Sequence, residues 1–229
     1  MTKQNTKDQR EIVIPGEIVS EEKNMLPGEW TLKQGDQIIA TRLGVCEKSE
    51  RLVKIIPISG VYIPRRGNIV IGVIRDITMH GWVVDIKGPY SSFLPLKECS
   101  KFIPEYEMEN VYQIGDLVLA KINNVVRSSV DLTVKGRGLG KINEGILIEI
   151  NPHRVPRVIG REGSMVKVIK DNTNCKITVG QNGLIWIHGD NIQEELFAKR
   201  AIEYINENTL SEGLTERTES WFKDQKKEK

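Results

Sequence analysis

The fold is decided at residues 155–169, where the sequence is VPRVIGREGSMVKVI. Valine, isoleucine and methionine recur at helical spacing on both sides of a short polar interruption. Gly160 and Gly163 bound this interruption, and Ser164 follows them as a residue type that caps helices. The stretch therefore predicts two amphipathic helices joined by a tight loop with an accessible backbone.

Strands and a closing helix are predicted around this helix pair. Apolar runs of strand length precede it at Ile146–Ile150 and follow it at Cys175–Val179 and Leu184–His188. The Asn-Gly pair within residues 180–183 predicts a hairpin turn, and we assign that turn no other role. Helical spacing returns after Asn191, a capping residue type. The predicted order of elements is β-α-α-β-β-α.

This order, with a Gly-x-x-Gly loop between the first two helices, resembles a type I KH domain (βααββα), a module that binds single-stranded nucleic acid. Because glycine has no Cβ, a nucleotide backbone can approach the N–H groups of the loop, and the second helix adds the positive end of its dipole. The predicted RNA-binding residues are Gly160, Arg161, Gly163, Ser164 and Lys167. Glu162 opposes a phosphate electrostatically, and an ordinary turn between two helices of an α+β domain is the alternative.

A five-stranded OB-type barrel is predicted between residues 67 and 140. Turn residues separate short apolar runs, and an irregular segment rich in glutamate lies between the third and fourth runs. The five predicted strands are Asn68–Ile77, Trp82–Ile86, Ser92–Leu94, Leu117–Asn123 and Val130–Lys135.

The sequences GNIVIGVI from residue 67, GWVVDI from residue 81 and FL from residue 93 resemble the S1-type RNA-binding domain. The resemblance implies that Trp82 and Phe93 form a platform on which bases stack, and we add Lys121 and Arg127 as basic RNA-binding candidates. The alternative is that both aromatic side chains are buried in the barrel core. Pro95 stands where the family commonly has histidine, which predicts a weaker RNA-binding face.

Short strands and turns predict a small N-terminal β domain with no cluster of residues that indicates chemistry, so a docking role is favoured. We interpret Gly136–Lys141 as a linker, and Trp221 and Phe222 as an anchor for a partner. The predicted divisions are a flexible leader at 1–10, the N-terminal β domain at 11–66, the S1-type barrel at 67–140, the KH domain at 141–210 and a charged tail at 211–229.

The composition narrows the possible functions. Lysine and arginine number 33 against 31 aspartate and glutamate residues, so nucleic-acid binding must come from local patches. No apolar stretch has the length of a membrane span, and the first ten residues lack the apolar core of a signal peptide. We therefore expect a cytoplasmic protein without a membrane partner, whose three separated cysteines are free thiols.

The sequence predicts a binding protein rather than an enzyme. His80, His153 and His188 are too scattered for a metal site, and the glycines near Lys141 lack the spacing of a phosphate-binding loop. We predict no catalytic residue, no metal and no cofactor. The alternative is RNA cleavage by Mg²⁺ held between barrel carboxylates such as that of Asp85.

The order of the three domains, together with IPGE from residue 14 and the stretch YIPRRGNIVIG from residue 62, resembles the RNA-binding cap subunits of the archaeal exosome. The resemblance implies a trimeric cap of such subunits on a hexameric ring of phosphorolytic exoribonuclease subunits. The cap would bind single-stranded RNA and guide it into the pore for 3′–5′ degradation, while the N-terminal domain docks on the ring and the ring catalyses. A transcription or translation factor that uses the same modules is the alternative.

Overall fold

The computed structural model describes residues 11–22, 24–209 and 213–227, so the leader predicted at residues 1–10 lies outside the described part. The chain divides into two compact units at Gly60, six residues before the predicted boundary. Tyr62 explains the difference, because it is only 5% exposed and packs into the barrel core.

The N-terminal unit is the predicted small β domain. Its strands form one sheet in the order β1-β6-β7-β3 and a second in the order β2-β5-β4. Val13, Ile38, Val53 and Ile55 form the centre of its core. The strands are β1 (Glu11–Val13), β2 (Ile18–Ser20), β3 (Leu26–Pro27), β4 (Thr31–Gln34), β5 (Gln37–Ala40), β6 (Gly44–Lys48) and β7 (Leu52–Pro57).

The predicted five-stranded OB-type barrel is confirmed. Its strands follow the order β12-β10-β9-β8-β11, and pairing between β11 and β12 closes the barrel, which leaves no open edge. The strands are β8 (Ile69–Thr78), β9 (Gly81–Asp85), β10 (Ser91–Pro95), β11 (Leu117–Val126) and β12 (Ser129–Thr133). The insertion between β10 and β11 contains two 3-10 turns and a short helix, α1 (Met108–Val111).

The segment predicted as a linker is partly a strand. Gly140–Ile142 forms β13 and pairs antiparallel with Leu117–Leu119 of β11. The Lys141 ammonium also forms an ion pair with the Asp116 carboxylate. The end of this segment is therefore fixed to the barrel by backbone hydrogen bonds and by charge.

The KH domain has the predicted order of elements. Its sheet runs β14-β16-β15, and the helices pack on one face through a core centred on Ile169, Ile185, Ile187 and Ala201. The Asn191 side chain caps the closing helix by accepting a hydrogen bond from the Glu194 N–H at 2.9 Å, as its residue type predicts. The elements are β14 (Ile146–Glu149), α2 (Val155–Ile159), α3 (Ser164–Thr173), β15 (Lys176–Val179), β16 (Leu184–His188) and α4 (Ile192–Glu207).

The prediction of a charged tail is wrong for the residues that the structure describes there. Leu214–Lys227 forms helix α5, and Phe222 is buried in the KH core. The Trp221 ring stacks on Tyr204, with 5.3 Å between ring centroids, and on Phe197 at 5.7 Å. Apolar residues at helical spacing give the segment one apolar face, which binds the chain's own KH domain rather than a partner.

The hairpin turn at residues 180–183 does more than reverse the chain, contrary to our prediction. Asn182 is 2% exposed; its side-chain oxygen accepts the Ile71 N–H at 3.2 Å, and its nitrogen donates to the carbonyls of Ile71 at 2.7 Å and Ile86 at 2.9 Å. The Gln181 N–H donates to the Ile69 carbonyl at 2.8 Å. Pairing between β8 and β9 begins at Val73, so the turn satisfies backbone groups of β8 beyond that ladder. These bonds join the KH domain to the barrel.

Candidate nucleic-acid interface

The loop between α2 and α3 requires both of its glycines, for different reasons. Gly160 has φ +74° and ψ 176°, a conformation open almost only to glycine, and a Cβ there would lie 2.7 Å from the Met165 nitrogen. Gly163 has φ +80°, but a Cβ there would meet no atom within 4 Å. Glu162 also adopts a left-handed conformation, with φ 51°. The chain therefore turns sharply while leaving open space beside Gly163.

The prediction that Ser164 caps α3 is wrong. Gly163 holds the capping position, no side chain bonds to the end of the helix, and Ser164 is the first helical residue. Helix α3 therefore begins without a side-chain acceptor for its first N–H groups, next to the open space at Gly163. The Ser164 N–H donates to the Arg161 carbonyl within the turn. The start of α3 suits an anionic oxygen, because helix N–H groups without a side-chain acceptor and the helix dipole act in the same direction.

A groove of about 430 Å³ extends from this loop. Its apolar side chains come from α2, α3 and β15, and the side chains of Lys167 and Lys170 are exposed beside them. The lining residues are Ile159, Gly163, Val166, Lys167, Lys170, Asp171, Ile177 and Val179. An apolar surface flanked by two ammonium groups can hold bases and phosphates at the same time.

Of the five predicted KH residues, Gly163 and Lys167 line this groove, and the other three lie in the adjoining turn. Gly160, Arg161, Gly163 and Ser164 form the turn, and Lys167 follows one helical turn further on. The groove is also lined by three residues that the sequence did not predict as binding residues, Lys170, Ile177 and Val179. The alternation in β15 could have indicated the last two, because Ile177 and Val179 share one face of that strand.

Trp82 is not part of a surface platform, so that prediction is wrong. The residue is 0% exposed and lies opposite Leu94, which is also 0% exposed, in the β9–β10 ladder. Its ring contacts Tyr112 edge-to-face, with 5.1 Å between centroids. Burial in the same core raises the pKa of the Tyr112 hydroxyl to about 12. Side chains alternate along a strand, and Trp82 has the inward position.

Phe93 lies on the outer face of its strand, between the buried residues Ser92 and Leu94. It lies opposite Val83 on β9 and Asp131 on β12, and it is half-buried. Gly81 lies beneath its ring, because a Cβ there would lie 2.9 Å from the Phe93 Cζ atom. The outer face of the barrel thus offers Phe93 with Val83 as its neighbour, and the role of Phe93 in RNA binding stays a prediction.

Lys121 and Arg127 are both exposed but lie far apart. Lys121 is on β11 opposite Ile69, near the turn that joins the KH domain to the barrel. Arg127 is in the turn after β11, with φ 52°. The six residue steps from Lys121 to Arg127 span about 20 Å of extended chain. The two cations therefore do not form one patch, and their contribution to RNA binding stays a prediction.

Two carboxylates of the barrel form ion pairs, Asp85 with Arg75 and Asp116 with Lys141. Partial burial disfavours ionisation of Asp85, but hydrogen bonds from the Lys87 N–H and the Arg75 guanidinium outweigh it and lower the pKa of the carboxyl. Asp116 behaves in the same way, since Lys141 and the Gln113 N–H lower its pKa against partial burial. Among the described residues, no group of three or more histidine, cysteine, aspartate or glutamate side chains is placed to hold a metal ion.

Two further expectations concern the state of the cysteines and the presence of membrane-spanning helices. Cys46, Cys99 and Cys175 are buried free thiols, and burial raises the pKa of the Cys99 thiol to about 11. Within the described ranges, no helix has the length and apolar character needed to cross a bilayer.

Fold and groove together define a protein with a β-rich N-terminal domain, an OB-type barrel and a KH domain. Two of these three domains match known families. The KH domain family matches residues 145–193, and the family described as the exosome RNA binding protein RRP4 N-terminal domain matches residues 10–59.

Relatives extend the match over almost the whole chain. The exosome complex component Rrp4 of Methanobrevibacter smithii is 37% identical over 214 residues, which cover 93% of this chain and 71% of the relative. The protein of the same name from Thermofilum pendens is 39% identical over 221 residues, covering 94% of this chain and 93% of the relative. The chain belongs to the Rrp4 family.

A solved structure supports the same relationship. A crystal structure of a protein described as an exosome complex RNA-binding protein superposes with a TM-score of 0.66 at 36% sequence identity. The superposition covers 73% of this chain and 98% of the other.

Proposed function

We propose that this protein is a non-catalytic, RNA-binding component of an exosome complex that binds single-stranded RNA through the groove beside Gly160–Gly163. The observation that carries the proposal is the loop itself. Its second glycine opens onto free space at the uncapped start of α3, with Arg161 and Lys167 exposed around it. The relatives bear the name exosome complex component Rrp4, which favours this role over that of a transcription or translation factor.

The groove supports binding of modest affinity. Glu162 lies exposed within the loop, and Asp171 lines the groove together with the two lysines. Carboxylates near a phosphate reduce the electrostatic attraction. Several weak sites that bind one strand together gain affinity through effective concentration. We therefore propose that three copies form a cap on a hexameric exoribonuclease ring in the cytoplasm and guide RNA into its pore, where the ring carries out catalysis.

Apolar side chains on the N-terminal domain support docking of that domain on the ring. Ile12, Val45 and Ile56 lie side by side across β1, β6 and β7, and Ile12 and Ile56 are 55% and 50% exposed. An exposed apolar row in a small domain is typical of a protein interface. We expect Ile56→Glu to abolish co-purification with the ring. Lys33→Glu on β4 introduces the same carboxylate at an exposed position outside this apolar row, and it should leave co-purification unchanged.

The central experiment changes the loop without changing its glycines. The double variant Arg161→Asp and Glu162→Asp places two carboxylates at exposed positions, and aspartate tolerates the left-handed conformation of residue 162. We expect single-stranded RNA to bind about tenfold more weakly, because a charge-assisted contact is lost and repulsion is added. Fluorescence anisotropy with a labelled oligonucleotide measures the affinity.

The matched control is Arg200→Asp, which makes the same charge change at an exposed position of α4 outside the groove. Equal losses in both variants would show that overall charge, and not the groove, binds RNA. A second measurement compares the isolated protein with the protein on its ring at several salt concentrations. Equal affinity in the two states would contradict the role of multiple copies.

A further inference from the structure

The outer face of the KH sheet carries two aromatic rings that the groove beside α3 does not use. Ile185 and Ile187 of β16 are 0% exposed and pack in the core beneath the helices. Trp186 and His188 alternate with them along the strand and line the opposite side of the sheet. His188 is at the end of the strand, and its Nδ1 also lies 3.7 Å from the Glu195 carboxylate of α4. Their rings are almost parallel, at 11°, with 5.7 Å between centroids. The face therefore carries an aromatic surface made of two parallel, stacked rings.

This aromatic surface is held in place before any ligand binds. The Trp186 Nε1–H donates a hydrogen bond to the Glu144 carbonyl at 3.1 Å. Gly145 lies directly beside the ring, because a Cβ there would lie 2.6 Å from Nε1. The hydrogen bond thus fixes the Nε1 edge of the ring, and the absence of a side chain at Gly145 leaves room for that edge. Fixed rings bind with a smaller loss of conformational entropy than mobile ones.

The rings line a groove of about 330 Å³ between the KH sheet and β13 of the barrel. Across β15, Lys176 lies opposite His188 and Thr178 lies opposite Trp186. Lys176 is exposed and forms no ion pair with any described residue, whereas Lys141, on the barrel side, pairs with Asp116. Among the described lining residues, Glu144 is the single carboxylate. The groove therefore combines flat rings, a hydroxyl and an available cation.

Strand β15 separates this groove from the one beside the Gly-x-x-Gly loop. Ile177 and Val179 line the groove beside α3, and Lys176 and Thr178 line the groove beside Trp186. β15 is the last strand in the sheet order, so its outer edge is not covered by another strand of that sheet. A chain that leaves the first groove needs to cross only the width of one strand, about 5 Å, to enter the second.

We propose that the groove lined by Trp186, His188 and Lys176, here called the aromatic groove, is a second contact site for single-stranded RNA. A base stacks on the parallel rings, Lys176 contacts the following phosphate, and the strand continues around the edge of β15 from the first groove. The inference rests on the proposed function, since it extends the same RNA path. Sheet faces with aromatic side chains are a recurrent way to bind unpaired bases, because every base has a flat π-face.

The experiment uses the full chain and two oligonucleotide lengths. A KH groove holds about four nucleotides, so an oligouridine of about four nucleotides tests the first groove, and one of about eight nucleotides tests both. We expect the long oligonucleotide to bind about tenfold more tightly than the short one. Lys176→Glu and Trp186→Leu should each remove most of that gain and leave the affinity for the short oligonucleotide unchanged.

Two controls keep the outcomes distinct. Arg200→Glu repeats the charge change of Lys176→Glu on helix α4, outside both grooves, and should preserve the gain. If Trp186→Leu does not fold, Lys176→Glu, at an exposed position, still tests the site. In addition, photo-crosslinking of a 4-thiouridine oligonucleotide to the unmodified protein should label the peptide that contains Trp186.

The results separate the inference from the function on which it rests. The inference is overturned if the long oligonucleotide binds no more tightly than the short one. It is also overturned if Lys176→Glu preserves the tighter binding of the long oligonucleotide and no crosslink forms at Trp186. In both cases the first groove keeps its role. That same result is expected if the aromatic groove binds a protein segment instead. If the Arg161→Asp and Glu162→Asp variant binds both lengths normally, the proposed function fails at its own site, whatever happens at Trp186.

Discussion

The barrel and the KH domain each place a tryptophan on a strand, with opposite results. Trp82 on β9 points into the barrel, is 0% exposed and contacts Tyr112, whereas Trp186 on β16 lies at the surface of its sheet. Both residues are bordered by apolar neighbours, so composition does not distinguish them. They differ in the side of the strand on which they lie. Side chains alternate along a strand, and Trp82 is on the side that packs in the core, whereas Trp186 is on the other side. The two domains therefore use the same side chain for stability in one case and for an accessible surface in the other.

The largest expected effect is at Trp82. Trp82→Ala should lower the free energy of unfolding by about 3–5 kcal/mol, because it leaves a cavity in the barrel core. Trp186→Ala should lower it by about 1 kcal/mol, since the lost contacts are at the surface and one hydrogen bond to Glu144 disappears. Urea denaturation measures both values. Comparable losses would contradict the contrast between the two tryptophans.

Asn182 tests whether the two domains depend on each other. Asn182→Leu keeps the number of side-chain heavy atoms and the branch at Cγ but leaves backbone groups of Ile71 and Ile86 without partners, so we expect a loss of about 2–3 kcal/mol. Hydrogen exchange should then increase at Ile71 and within residues 180–183 before it increases in either core. Gln181→Ala removes an exposed side-chain oxygen of the same turn, which accepts the Ile69 N–H at 2.9 Å, and should lower stability by only about 1 kcal/mol or less. Unchanged exchange at Ile71 would show that the domains hold together without this contact.

The two loop glycines of the KH domain differ in what opposes an added side chain. Gly160→Ala should destabilise the protein by about 2 kcal/mol or more, because strain at φ +74° is added to a clash with Met165. Gly163→Ala should cost about 1 kcal/mol, since only the left-handed conformation opposes it. Thermal unfolding monitored by circular dichroism gives the order of the two. A larger loss at residue 163 would mean that the space beside it is already occupied in the folded protein.

The smallest expected effect concerns the ion pair at the strand that links the domains. The pKa of Asp116 is lowered in the folded protein, so its stabilising contribution is present above the unfolded pKa of about 3.9 and is lost as the pH falls through the lower folded value. Asp116→Asn should remove about 0.5–1 kcal/mol at neutral pH and nothing in strong acid, because both partners are partly exposed. Denaturation at a series of pH values measures the difference between variant and wild type. A difference that does not shrink with acidification would rule out the ion pair as its cause.

Local signals predicted most of the fold. Helical spacing around Gly160 and Gly163, the capping residue Asn191 and the Asn-Gly turn are all properties of short stretches, and the structure contains the elements that they predict. Helix α5 also has a local signal, since Leu214, Thr218 and Phe222 follow one another at four-residue intervals. The high charge of the surrounding sequence obscured that apolar face.

The errors concern relations between distant residues. Trp82 could be assigned to the core only by fixing which face of β9 is buried, and that depends on its partner strands. The role of Asn182 depends on backbone groups 111 and 96 residues earlier in the chain, and no pattern near residue 182 indicates them. Neither the groove lining from β15 nor the ring pair on β16 can be derived without the sheet order.

The contact made by Asn182 affects how RNA binding should depend on oligonucleotide length. Because the turn bonds directly to the barrel backbone, we expect the first half of β8 and the KH sheet to move together. Any strand that reaches both domains must then bridge a constant distance, so occupancy should rise stepwise at one minimum oligonucleotide length instead of increasing gradually. That threshold would disappear, and shorter ligands would bridge as well, once the amide at residue 182 no longer fixes the spacing.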